Sequence, residues 1–319
     1  MNIVDDILSI IHKTEGLEND EASQPKTKKS EEVLTGYSGK KIITLLQQLS
    51  ELFAKKDPLA CYLEVGVFQG LTLLSVARDI PSFPCYGIDN FAFFDPDKQN
   101  FNLIQERKVK LNINNAHLIN QDYEDALANL QSVLGNKKIG VYFVDGPHDY
   151  RSQLMCLQLA KGYLHENAVI IVDDSNYSHV RQANRDFLVT HPEFKLVFQS
   201  YTPCHPKNMD VQERKETAEN RWWNGINVLV KDPNNKLETI FPPTVRERKI
   251  YENEHFIHSC RLAEDVPEII KLAQVLVNEK NPIKYLYRMK RLISKITQAN
   301  QEHNHRYITM NTYSKNLIN

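Results

Sequence analysis

Two apolar runs in the middle of the chain end in carboxylates. The run 141–144 leads into Asp145-Gly146-Pro147-His148-Asp149-Tyr150, and the run 169–172 leads into Asp173-Asp174-Ser175-Asn176. Apolar strands that end in charge are costly to build unless the charge is used. Asp145, Asp173 and Asp174 brought to one place would repel one another, and each would resist ionisation. A hard divalent cation removes that conflict. Carboxylate oxygens with several waters suit Mg²⁺, whereas the lack of thiolates and the presence of only one nearby histidine argue against structural zinc. Plainer readings exist for each part: His148 as a loop histidine, Asp145-Gly146-Pro147 as a turn, and Asp174 as a helix cap.

A second constellation precedes it. In Leu63-Glu64-Val65-Gly66-Val67-Phe68-Gln69-Gly70-Leu71-Thr72 an apolar run enters a glycine turn, and a helical pattern follows from Leu71. This is the strand–turn–helix opening of a nucleotide-binding α/β domain. Gly66 and Gly70 let backbone approach a ligand and present amides at the start of the next helix. Their Gly-x-x-x-Gly spacing differs from the Gly-x-Gly-x-x-Gly of dinucleotide folds. Asp89 ends the next apolar run, roughly 20 positions on, where a carboxylate suits a ribose diol of NAD or of S-adenosylmethionine alike. Asp122-Tyr123 closes a third run. Glu64 also reads as a buried, satisfied carboxylate and Asp122 as a helix N-cap.

The elements that must position these residues follow a regular rhythm. Strand-like runs recur at 62–67, 85–88, 117–119, 141–144 and 169–172, separated by helical stretches at 72–78, 97–111, 125–134 and 151–164. Such alternation implies βαβ units and a parallel sheet, with ligands beyond the carboxyl ends of the strands. A helix at 180–188 and strands at 195–199 and 226–230 come next; the polar insert 203–219 between them is compatible with a terminal hairpin. Within that insert His205 and Lys207 suggest acceptor recognition, and Trp222 and Trp223 read as packing against the sheet or as a stacking wall. Tyr150, Asn176 and His179 lie in the same loops as the acids.

Glu64-x-Gly66-x-x-x-Gly70 resembles motif I of the class I S-adenosylmethionine-dependent methyltransferases. The Asp145-x-x-His148 segment followed by Asp173-Asp174 resembles the metal-dependent sugar O-methyltransferases of macrolide biosynthesis, of the macrocin and mycinamicin type, and the broader family with Asp-Gly-x-His-x-Tyr. The resemblance covers about residues 58–230. It implies a Rossmann-like, seven-stranded, mostly parallel sheet with helices on both faces and an antiparallel last strand. It implies S-adenosylmethionine bound by Glu64, Gly66, Phe68, Gly70, Thr72, Asp89, Asp122 and Tyr123. It also implies Mg²⁺ held by Asp145, Asp173 and Asp174, with His148 as general base. In the macrolide enzymes the first member of the acidic pair can be glutamate; here both are aspartate. The function implied is methylation of a hydroxyl on a sugar or glycosylated small molecule. A catechol-type or metal-independent methyltransferase, an NAD(P)-dependent oxidoreductase and a non-catalytic cofactor-binding protein are the alternatives. Three acids at strand ends would repel a pyrophosphate and weigh against the oxidoreductase.

Composition narrows the class. With 39 Lys and Arg against 40 Asp and Glu the net charge is −1, which gives no sign of a generic nucleic-acid binder. The five cysteines, Cys61, Cys85, Cys156, Cys204 and Cys260, form no C-x-x-C pair and read as reduced thiols of a cytoplasmic protein. Asp5 and Asp6 precede only a short apolar stretch, unlike a signal peptide, and no run of about 18 apolar residues suggests a membrane span. Three regions are expected: a helical N-terminal segment with a polar linker at 18–32 (1–57), the cofactor-binding domain (58–245), and a helical extension (246–319). The extension carries helical patterns at 266–277 and 282–296. The second is basic on one side (Lys284, Arg288, Lys290, Arg291, Lys295) and apolar on the other (Tyr285, Leu286, Met289, Leu292, Ile293, Ile296). It reads first as a packed helix with a solvated face, and otherwise as one that lies on an anionic membrane or a partner. The helical ends could mediate homo-oligomerisation.

Overall fold

The computed structural model describes residues 3–16, 34–92, 94–95, 97–244 and 266–310, with side chains to 298 in the last segment. The expected linker at 18–32 and Cys260 lie outside these residues. The chain divides into two compact units, Met1–Val245 and Arg246–Asn319.

In the first unit, seven strands form one sheet: β1 (Ala60–Val65), β2 (Cys85–Ile88), β3 (Ala116–Ile119), β4 (Lys138–Val144), β5 (Leu164–Val172), β6 (Phe194–Ser200) and β7 (Ile226–Lys231). Their order is β3-β2-β1-β4-β5-β7-β6. The first five are parallel, and β7 runs antiparallel to both β5 and β6. β1 is buried along its whole length, as a parallel strand covered on both faces must be. Alternation then assigns each side chain to a layer. Tyr62 and Phe143 point into one core with α1 (Ile3–Glu15), α2 (Lys40–Lys56), α3 (Leu71–Asp79) and Ile104 of α4 (Asn100–Lys110). Leu63, Val65 and Tyr142 point into the other, with α5 (Tyr123–Ala128), α6 (Leu130–Leu134), α7 (Tyr150–Ala160) and α8 (Ser178–Thr190). The N-terminal helices thus help to cover one face of the sheet: a Cβ on Gly140 of β4 would lie 2.6 Å from the Phe53 ring. The strand order reverses between β1 and β4, so a crevice opens beyond their carboxyl ends.

Within this unit some elements depart from the sequence expectation. The helix expected over 125–134 breaks at Asn129 into α5 and α6, where the Asp125 carbonyl accepts from both the Asn129 side-chain amide at 2.9 Å and the Asn129 N–H at 3.2 Å. β5 begins at Leu164, five residues before the apolar run that marks it in the sequence. The polar insert contains a further helix, α9 (Val211–Asn220), capped by Asp210, which accepts from the Glu213 N–H at 2.8 Å.

The second unit contains a helix at 266–277 (α10) and α11 (Pro282–Met310), longer than the 282–296 expected. Arg288 pairs with Glu279 at 2.6 Å and Lys295 with Glu268 at 3.2 Å. Among the described residues no helix is long and apolar enough to cross a membrane.

Candidate active site

The crevice is built from two loops that touch. β1 ends at Val65, and Gly66 and Gly70 adopt positive φ, 93° and 80°. Gly66 has no room for a side chain: a Cβ there would lie 1.9 Å from the Asp145 carbonyl oxygen. The glycine loop therefore packs directly on the loop that carries Asp145. Its amides are used within the protein. The Gly66 N–H donates to the Ile88 carbonyl at 2.9 Å and the Gly70 N–H to the Val67 carbonyl at 2.8 Å. The Val67 and Phe68 N–H groups donate to Asp89 Oδ2 at 2.9 and 2.8 Å, and the Phe91 N–H donates to Asp89 Oδ1 at 2.7 Å. Asp89 thus holds the turn itself. Lone pairs on its two oxygens remain for a diol.

Glu64 lies fully buried on β1. The Tyr62 hydroxyl donates to its Oε2 at 2.5 Å, while Oε1 accepts no hydrogen bond of good geometry. Burial pushes the Glu64 carboxyl up to about 8, although the Tyr62 and Thr72 hydroxyls pull it down. Phe68, at φ 50°, stacks on Tyr37 with ring centroids 5.0 Å apart. Asp122 is exposed and caps α5, accepting from the Glu124 N–H at 2.9 Å, as the N-cap reading has it. Tyr123 donates to Glu124 at 2.9 Å, and Glu124 in turn pairs with Arg151.

At the neighbouring strand ends the acids converge. Ligand atoms of Asp145, His148 and Asp174 lie within 4.8 Å of one another. His148 Nε2 is 2.8 Å from Asp174 Oδ2. Asp173 stands outside this trio; it is buried, and its Oδ1 accepts from the Asp174 N–H at 2.9 Å. Burial, then repulsion from Asp173 and Asp174, raises the Asp145 carboxyl; burial and Asp174 raise Asp173. Asp174 differs. Burial would raise it, but the hydrogen bond and charge of His148 and the Asn224 amide at 2.8 Å outweigh burial and lower it. Asp174 also holds φ 53°, a left-handed conformation that aspartate tolerates better than most residues.

Several participants escaped the sequence reading. Tyr177 stacks on His148 at 5.3 Å, and the only signal for Asn224 was an Asn-Gly turn before β7. A cavity of about 400 Å³ opens beside the trio, lined by Tyr177, Tyr201, Thr202, Cys204, His205 and Asn224 among others. A larger one of about 600 Å³, bounded by Glu15, Lys41 and Trp222, contains none of the expected site residues. Trp222 is 2% exposed and packs edge-on against Phe198 of β6, the packing expectation rather than a stacking wall.

Residues 63–175 match the family model described as a methyltransferase domain. The seven-stranded, mostly parallel sheet is the Rossmann-like arrangement expected from the sequence. The chain is similar to an O-methyltransferase from Bacillus cereus in complex with S-adenosylhomocysteine (14% identity over 71% of this chain and 90% of that one, TM-score 0.42). It is also similar to TomG, an O-methyltransferase from Streptomyces achromogenes involved in tomaymycin synthesis, in complex with S-adenosylmethionine (14%, 73% and 99%, TM-score 0.43). An uncharacterized protein of Acanthamoeba polyphaga mimivirus is 26% identical over 133 residues, 41% of this chain; the match spans 57% of that protein's length.

Proposed function

We propose that the methyltransferase domain transfers a methyl group from S-adenosylmethionine to a hydroxyl of a sugar or glycosylated small molecule, with a divalent cation, Mg²⁺, at Asp145 and Asp174. The observation that carries this is the contact between the glycine loop and the Asp145 loop, which sets a cofactor crevice against the acid–histidine trio.

The donor set fits a hard cation. It has two carboxylates and an imidazole within 4.8 Å, and the carboxyl of Asp145 is raised by burial and then by the neighbouring acids, whose charge a cation would neutralise. Asp173 can join through the oxygen that does not accept the Asp174 N–H. A bound cation lowers the pKa of a coordinated hydroxyl and fixes its oxygen. His148 is placed to accept the acceptor's proton; its ring is oriented by Asp174 and by stacking on Tyr177. The 400 Å³ cavity beside these residues, with tyrosines and hydrogen-bonding groups in its wall, suits a polyhydroxylated acceptor.

The glycine loop favours a sulfonium cofactor over a dinucleotide. A pyrophosphate needs free loop amides, and four of these are committed within the protein. Glu64, with one buried oxygen unpaired, fits a cationic ligand group.

Calorimetric titration of the full chain with S-adenosylmethionine and with NAD⁺, each with and without Mg²⁺, tests the reading. Binding of the first alone is expected, and binding of NAD⁺ instead would overturn it.

A further inference from the structure

Arg107 of α4 is a buried cation without an acidic partner among the described residues. Only 8% of it is exposed. Its guanidinium donates to the Gln69 carbonyl at 2.5 Å, to the Thr35 carbonyl at 3.4 Å and to the Thr35 hydroxyl at 2.7 Å. All three acceptors are neutral, and three bonds leave two of about five N–H donors over. A buried charge served only by neutral groups is costly, because desolvation is not repaid by an opposite charge. Burial accordingly lowers the Arg107 pKa.

A second unpaired donor stands beside it. Asn100, 5% exposed, accepts from the Gln69 side-chain amide at 3.4 Å, and its own Nδ2 has no partner. Arg107 and Asn100 thus flank Gln69 of the glycine loop from the same helix, each with donor capacity to spare. Segment 34–37 closes over this place: Leu34 is buried in the core, Thr35 bonds Arg107 and Gln69, and Tyr37 stacks on Phe68. An anion is the missing partner. The glycine-loop amides that serve anions elsewhere are already committed to Asp89 and to loop carbonyls.

We infer that Arg107, assisted by Asn100, holds the carboxylate at the amino-acid end of the cofactor, an assignment that rests on the S-adenosylmethionine reading above. The competing role is a tie that merely fastens segment 34–37 to the loop, and ligand chemistry separates the two. S-Adenosylhomocysteine carries the carboxylate; 5′-methylthioadenosine has the same nucleoside and thioether sulfur but lacks it.

Calorimetry on the full chain should show Arg107→Gln weakening S-adenosylhomocysteine by about ten- to a hundredfold, the size of a charge-assisted hydrogen bond, and leaving 5′-methylthioadenosine unchanged. Arg107→Lys should recover part of the loss. Equal weakening of both ligands, or no change in either, overturns the assignment. Should Arg107→Gln fail to fold, the wild-type chain decides: it must bind decarboxylated S-adenosylmethionine at least about tenfold more weakly than S-adenosylmethionine, and equal binding overturns the assignment. A wild-type chain that binds none of these ligands instead removes the cofactor reading, and this assignment with it.

Discussion

Asp89 and Asp145 stand at the same edge of one sheet, and their surroundings are opposite. Asp89 accepts three backbone N–H groups, from Val67, Phe68 and Phe91. Its charge is absorbed by the turn it holds. Asp145 meets other acids, Asp173 and Asp174 foremost, and its carboxyl is driven up by burial and by them. This sheet edge therefore uses carboxylates in two ways: one as part of the scaffold, the other as a group whose ionisation burial and its neighbours oppose. Asp174 lies between the extremes, since His148 and Asn224 meet the charge that burial opposes.

The largest effects should come from the opposed group. Asp145→Asn should raise the thermal midpoint of the metal-free protein, because it removes a repelled, half-buried carboxylate. The same change should abolish the upward shift that Mg²⁺ gives the wild type through mass action. His148→Ala should cut turnover by about 10²- to 10⁴-fold while S-adenosylhomocysteine binding survives. An unchanged Mg²⁺ shift in Asp145→Asn would show that the two carboxylate environments do not differ in the way described.

The contrast also marks what the sequence could disclose. Apolar runs that end in Asp89, Asp145 and Asp173 revealed the strands and their ligand edge, because strand periodicity and terminal charge are local properties. How each carboxylate is satisfied is not local. Asp89 is answered by amides about 20 residues upstream, and Asp174 by Asn224, 50 residues away in sequence. No spacing rule anticipates such pairs. Asp173 accepts the Asp174 N–H while His148 joins Asp145 and Asp174, and Asp174 there holds a left-handed backbone that its residue type permits but does not require. Arg107 was invisible for the same reason: in the sequence it is one of several charges on an amphipathic helix, and only the fold buries it.

Glu64 offers a pH test of a third environment, a fully buried carboxyl beside the Tyr62 and Thr72 hydroxyls. Its folded pKa of about 8 exceeds the ordinary value of 4.5, chiefly through burial. The unfolded chain therefore releases this proton first as pH rises. Stability from this group is lost progressively between about pH 4.5 and 8, and the loss levels off above the folded value. Glu64→Gln keeps an acceptor for Tyr62 and removes the titration. Its advantage over wild type should grow to about 1–3 kcal/mol by pH 8 and be near zero at about pH 5. Chemical denaturation at the two pH values measures this. Parallel pH profiles for the two proteins would mean that Glu64 is ionised in the fold and already compensated.

The smallest effect is expected at Asp122, and it sharpens the comparison most cleanly. Asp122 is exposed and its side chain accepts from the Glu124 N–H at the start of α5, so its contribution is that of a helix cap. Asp122→Ala should cost about 1 kcal/mol, and Asp122→Asn should restore it, since asparagine caps about as well as aspartate. The same exchange of carboxylate for amide is then neutral where the backbone answers the charge and stabilising at Asp145, where other acids oppose it. Denaturation midpoints of Asp122→Asn and Asp145→Asn, measured side by side without metal, test this directly. A gain of equal size at both positions would mean that lowering the net negative charge, rather than the local surroundings of each carboxylate, governs stability at this edge of the sheet.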